Sequence, residues 1–105
     1  GMRAGICHVY CGHTTAGLTV NENCDPDVRH DLLRKLDRLI AWESQEFRHA
    51  EGNSAAHLKA SLMGFSQLLP VCDGKLLLGR WQGVYFCEFD GPRERGVTVQ
   101  FIGNQ

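Results

Sequence analysis

After Gly64 the spacing of apolar residues changes from a helical period to a period of two and keeps it to the end of the chain. "SQLLPV" and "KLLLG" flank "CDG", and an Asp73-Gly74 pair between two apolar runs is a strong hairpin signal. "GVYFCEFD" then gives another strand and "GPRERG" a turn. "VTVQFIG" gives a final strand, expected to alternate Val97, Val99 and Phe101 inward. At the other end, "GICHVYCG" (Gly5–Gly12) is rich in strand formers and predicts a mostly buried strand. "HTT" joins it to a second strand, "AGLTVN" (Ala16–Asn21). Strands and helices do not alternate strictly. A doubly wound parallel sheet is therefore excluded, in favour of an α+β fold with mainly antiparallel strands, about six of them with two helices.

The clearest helix starts at "DPDVRHDLLRKLDRLIAW", with Asp25 as its N-cap and Pro26 at the first helical position, where the missing N–H costs nothing. Val28, Leu32, Leu36, Leu39 and Ile40 make one apolar stripe, so the helix is expected to belong to the core. A second helix is predicted to begin at Asn53 or Ser54 and to stop at Gly64. On it His57 and Ser61 share one face, and Leu58 and Leu62 share another that is expected to face the core. Lys59 falls outside that stripe and reads as solvated.

At 105 residues the chain is one domain, residues 1–105, with a single modest core. Its net charge of -1 gives no global positive field to attract nucleic acid. No apolar run approaches a bilayer span, and "GMRAGIC" lacks the apolar core of a signal peptide, so a cytoplasmic location without a membrane partner is expected. Gly1 ahead of Met2 reads as the remnant of a cleaved tag. The five cysteines are odd in number and contain no C-x-x-C pair, which points to reduced, structural thiols.

The polar residues concentrate in a few places. His13, His49 and His57 each sit at a junction between elements, where side chains converge on a cleft. Three histidines match the ligand count of a catalytic zinc site with one open position, although no compact ligand motif accompanies them. "HAE" at His49–Glu51 resembles the H-x-E of zinc deaminases, but no P-C-x-x-C follows it. The start of the second helix also suits an anion, with Thr14, Thr15, Lys59 and the arginines of "GPRER", Arg93 and Arg95, as further donors. Glu22, in "NENCD", has no local duty and is a candidate acid, base or magnesium ligand. Trp81 and Gln82, between two glycines, offer a ring and an amide to a planar heterocycle, with core packing of Trp81 as the equal alternative.

Together, "HTTAGLTVNENCDPDVRHDL", "RHAEGNSAAHLKASLMG" and "GRWQGVYFCEFDGPRER" closely resemble the YjbQ-like family, whose members are labelled secondary thiamine-phosphate synthases. The resemblance runs from Gly5 to Gly103. It implies a sandwich-like α+β homotrimer with polar pockets between subunits. It also implies site residues at His13, Thr14, Asn21, Glu22, His49, Glu51, Asn53, His57, Lys59, Ser61, Trp81, Gln82 and Glu88. Members usually carry a strand and helix ahead of "GICHVYC", so the chain reads as a short form.

The implied reaction joins a pyrimidine-methyl diphosphate to a thiazole phosphate and releases pyrophosphate. It calls for cations on the leaving group and a cage for an electron-poor intermediate. Lys59, Arg93, Thr14 and Thr15 would neutralise phosphate, Glu22 or Glu51 would hold magnesium, and Trp81 would stack on the pyrimidine. Dedicated thiamine-phosphate synthases are (β/α)8 barrels of roughly 250 residues, which this length excludes, so a slow or promiscuous reaction is expected. Two other functions use the same lining. One is a metal-dependent hydrolase with zinc on His13, His49 and His57 and Glu51 as general base. The other is a non-catalytic trimer that binds a small phosphorylated ligand or nucleotide.

Overall fold

The computed structural model describes residues 3–104, so Gly1, and with it the tag reading, lies outside the described residues, as do Met2 and Gln105. The elements are β1 (Ala4–Cys11), β2 (Ala16–Glu22), α1 (Pro26–Leu39), α2 (Ser54–Met63), β3 (Ser66–Cys72), β4 (Lys75–Leu76), β5 (Gln82–Glu88) and β6 (Val97–Asn104). The fold is α+β with two helices, as the change of period predicts. β3 and β4 form the expected hairpin, with Asp73 and Gly74 both at positive φ (51° and 75°), as a two-residue turn of the hairpin hand requires.

Every strand pairing is antiparallel. One sheet runs β4-β3-β1-β6 and the other holds β2 and β5. The two sheets face each other. Cys7, Leu69 and Val71 are buried against Val20 of β2 and Val84 of β5, and a second cluster joins Cys11 to Ala16 and Leu18. β1 is thus buried on one face only, at Cys7 and Cys11, while Ile6 and Tyr10 stay exposed on the other. Of the cysteines, Cys7 and Cys11 are buried; Cys24 and Cys72 are exposed, so they are not core residues.

β6 departs from expectation in an instructive way. Val97, Val99 and Phe101 pair with Cys11, Val9 and Cys7, so they do lie on the inward side of their sheet. Yet they are 42%, 49% and 62% exposed, because a two-stranded sheet is too narrow to cover a four-stranded one. The inward face exists and has no roof.

The helices also differ from the sequence reading. Asp25 caps α1 by accepting from the Asp27 amide at 2.9 Å, and Pro26 opens the helix, as predicted. No residue of α1 is buried, however. Its apolar stripe lies across a groove of about 270 Å³, with Leu32, Leu33 and Leu36 on one side and Tyr85, Phe86 and Phe89 on the other. The helix stands off the sheet. Among the described residues, none of its side chains reaches the two core clusters.

α2 does the reverse and packs tightly. A Cβ on Gly17 of β2 would lie 2.7 Å from the Gly64 carbonyl oxygen and 3.2 Å from that of Ala60. At that separation only small side chains fit beneath the helix, so Ala55, Ala56 and Ala60 are buried there. Leu58 and Leu62, expected to face the core, are turned outward at 47% and 59% exposure. Lys59, expected in solvent, is buried instead, with its Nζ donating to Asp37 Oδ1 of α1. A buried ammonium requires a charged partner, and here that partner ties the two helices together.

Candidate functional site

Two loops and two element ends enclose a polar cleft of about 380 Å³. The β1–β2 connection brings His13, Thr14 and Thr15; the approach to α2 brings His49, Glu51 and Asn53; α2 brings His57; the segment after β5 brings Arg93 and Arg95. Gly64 terminates α2 at a φ of 89°, and the close seat of the helix on Gly17 holds its N-terminal end at this cleft.

Two chains of charge-assisted bonds shape the cleft. In the first, the Arg95 Nε and Nη2 donate to the two carboxylate oxygens of Glu88, and Nη2 also donates to Thr15 Oγ1 at 2.9 Å. The Glu88 pair uses one edge of the guanidinium and leaves Nη1 outside the clamp. In the second, Asp90 Oδ2 accepts from Asn53 Nδ2 and from Arg93 Nη2, each at 2.8 Å. A Cβ on Gly91 would fall 2.7 Å from Glu88 Cγ, so the turn carrying both arginines closes directly over the carboxylate that holds one of them.

These bonds set the protonation states. The Arg95 hydrogen bond holds the Glu88 carboxyl below its ordinary range, and the Asn53 amide, followed by Arg93, does the same for Asp90. Glu88 in turn raises the Arg95 guanidinium further. Burial alone pushes the nearby Cys87 thiol up, so its thiolate is disfavoured.

A pH dependence follows. Depressed carboxyls contribute stability that is present above the unfolded-state range, near pH 4, and lost as the pH falls through the lower folded values. Urea unfolding measured from pH 6 down to pH 3 should therefore show a decline below about pH 4 that is shallower in Glu88→Gln. Equal slopes in the two proteins would count against the Arg95 clamp.

Asn53 is the most informative residue. It is 5% exposed and stands at the N-cap of α2, yet its side chain makes no capping bond. Its Nδ2 is committed to Asp90, and its buried Oδ1 has no hydrogen-bond partner among the described residues. A buried acceptor left bare costs roughly 1–3 kcal/mol, which is consistent with a donor arriving from a ligand or a water held in the cleft.

The histidines share the cleft without sharing a focus. His13 Nε2 accepts from the Gly96 amide at 3.0 Å, which fixes its proton on Nδ1. The His49 and His57 rings meet edge to face with centroids 5.4 Å apart, and His49 Nε2 lies 3.9 Å from Glu51 Oε1. Among the described residues no three His, Cys, Asp or Glu side chains are arranged to hold a metal ion. The expected zinc set does not fit this arrangement, because one of its three nitrogens is already engaged. The magnesium candidates are also divided: Glu51 lines the cleft, and Glu22 lines the groove beside α1.

Other predicted residues lie elsewhere. Asn21 shares the α1 groove with Glu22, and its Oδ1 accepts from the Glu22 amide. Trp81 is 51% exposed, with the Arg80 guanidinium 4.7 Å above its ring, and Gln82 Oε1 accepts from the Gly79 amide. Ser61 is exposed on α2, and Lys59 is committed to Asp37. Arg95 and Asp90, not singled out as site residues from the sequence, organise the cleft. The signal for them was present: "EFDGPRER" sets acids two apart and arginines two apart on either side of a Gly-Pro turn, so each pair points one way along extended backbone.

A six-stranded α+β sandwich whose second helix opens onto a histidine- and arginine-lined cleft is the class that fold and site define. The profile of the family described as "UPF0047 protein YjbQ-like" matches residues 1–104, and the chain belongs to that family. It is 53% identical over 103 residues to UPF0047 protein YugU of Bacillus subtilis, covering 98% of this chain and 78% of that protein. It is 52% identical over 104 residues to UPF0047 protein MJ1081 of Methanocaldococcus jannaschii, covering 99% and 75%. In three dimensions it superposes on an uncharacterized conserved YjbQ/UPF0047 protein from Clostridium acetobutylicum with a TM-score of 0.94 at 55% identity, covering 97% of this chain and 78% of that one. The conserved hypothetical protein TT1486 from Thermus thermophilus gives 0.92 at 48% identity, covering 95% and 79%. None of these names states an activity. Among the described residues no helix is long and apolar enough to cross a membrane.

Proposed function

We propose that the chain binds a small phosphorylated molecule in the cleft at the N-terminus of α2. The observation that supports it most is the Thr15–Arg95–Glu88 clamp. It fixes a guanidinium at the cleft with an unused edge, beside the hydroxyls of Thr14 and Thr15 and the imidazoles of His13, His49 and His57. A phosphomonoester at its first protonation also carries an O–H, which would satisfy the bare Asn53 Oδ1 while its anionic oxygens take the donors. The functional unit on this reading is a homotrimer, since α1 and β6 leave apolar side chains uncovered in one subunit.

The synthase reading receives less support within one chain, because Lys59, Glu22 and Trp81 lie away from the cleft that would hold the phosphates. Titration of the wild-type protein with inorganic phosphate, followed by calorimetry and by the chemical shifts of His13 and His57, tests the proposal. Saturable binding, weakened by competing sulfate and lost in His57→Ala/Arg95→Ala, is expected. No heat and no shift at millimolar phosphate would remove it.

A further inference from the structure

A second cleft, of about 510 Å³, opens beside the first and is lined by Trp42, Glu43, Ser44, Gln45, Phe47, His49 and Gly52. The two share His49 as a common wall. Between them runs the segment from His49 to Asn53, in which Gly52 faces the outer cleft while Glu51 and Asn53 face the inner one. The two linings differ in kind. Histidines, arginines and hydroxyls line the inner cleft, and two aromatic rings line the outer one.

We infer that the ligand is the monophosphate ester of a flat aromatic or heteroaromatic group, with its phosphate in the inner cleft and its ring against Trp42 and Phe47. The inference rests on the phosphate reading above and extends it to the class of molecule. Trp42 is 45% exposed on the connection between α1 and α2, where no core cluster claims it. An indole left open beside an anion site is a stacking surface, and such stacking tolerates any flat ring. His49 stands where the ester oxygen would cross from one cleft to the other. Its ring, packed edge to face on His57, is placed to touch both halves of one molecule. The reading also accounts for an outer cleft that offers few cations to a second phosphate: Glu43 is its one charged residue besides titratable His49.

The test compares inorganic phosphate with 1-naphthyl phosphate by calorimetry and by quenching of tryptophan fluorescence. In the wild type, naphthyl phosphate should bind at least tenfold more tightly than inorganic phosphate. It should quench emission in Trp81→Phe, which retains Trp42, and not in Trp42→Phe. Trp42→Ala should reduce the preference to about threefold or less while leaving inorganic phosphate affinity within twofold of wild type. Inorganic phosphate that binds with no gain from the naphthyl group would overturn this inference and leave the phosphate site standing. A preference that survives in Trp42→Ala would overturn it too. Failure of both compounds to bind would remove the phosphate reading and this one with it.

Discussion

Replacing Arg95 by alanine is expected to weaken inorganic phosphate binding about 10- to 100-fold, corresponding to the roughly 1.5–3 kcal/mol of a hydrogen bond to a charged group. Two effects add. The cleft loses the guanidinium edge that the clamp leaves open, and it gains an uncompensated carboxylate on Glu88, whose side chain is only 31% exposed. Like charge near an incoming anion opposes it. The two effects separate in a cycle with Glu88→Gln. If positioning dominates, Glu88→Gln alone should cost severalfold, because Arg95 keeps its charge and loses its two-point anchor. If repulsion dominates, the double variant should bind better than Arg95→Ala. Arg95→Lys should fall between wild type and alanine, since an ammonium cannot grip Glu88 and Thr15 in a fixed fork while presenting a further edge. Affinity for phosphate unchanged within twofold in Arg95→Ala would show that the clamp only braces the β5–β6 connection.

Much of the framework could be read from residues whose local chemistry has a single solution. Asp25-Pro26 starts a helix, Gly64 stops one, and Asp73-Gly74 turns a hairpin, whatever surrounds them. Inferences about burial fared less well, because burial depends on what lies opposite. The stripe on α1 and the alternation on β6 are real patterns, but one meets a groove and the other a sheet two strands wide. On α2 the closeness of Gly17 decided which face turned inward, and nothing in the helix's own sequence reports that separation. The site divided along the same line. His13, Thr14, Thr15, His49, Glu51, Asn53, His57 and Arg93 come together because each lies at the end of an element bordering one corner of the fold. Lys59 does not join them, since its place on α2 points it at Asp37 of a neighbouring helix, a contact across 22 residues that spacing along the chain cannot disclose.

The largest effect on stability is expected from Gly5→Ala. Gly5 lies in β1, between Val71 of β3 and Gly103 of β6, in the strand that joins the two halves of the larger sheet. Its φ is 148°, a region that residues with a Cβ rarely enter, at a cost of order 1–3 kcal/mol. A Cβ there would lie 2.1 Å from the Ile102 carbonyl oxygen and 2.6 Å from Gly103 Cα. These are backbone atoms of a paired strand, so no side-chain rotation relieves the overlap, and overpacking adds about 1–3 kcal/mol. About 3 kcal/mol in total would lower the Tm of a domain this size by roughly 10 °C or more. The comparison is made at one protein concentration, so that any change in assembly does not enter the shift. Gly96→Ala is the matched control: a Cβ there meets nothing within 4 Å, and the change should stay within about 0.5 kcal/mol. The one way for the chain to escape the overlap is to peel the end of β6 from β1. That would spare the Tm and instead speed amide exchange along Phe101–Gly103, which pair with Cys7, Ile6 and Gly5. A Gly5→Ala protein that melts with wild type and keeps its exchange protection at those amides would rule out the close backbone approach at Gly5.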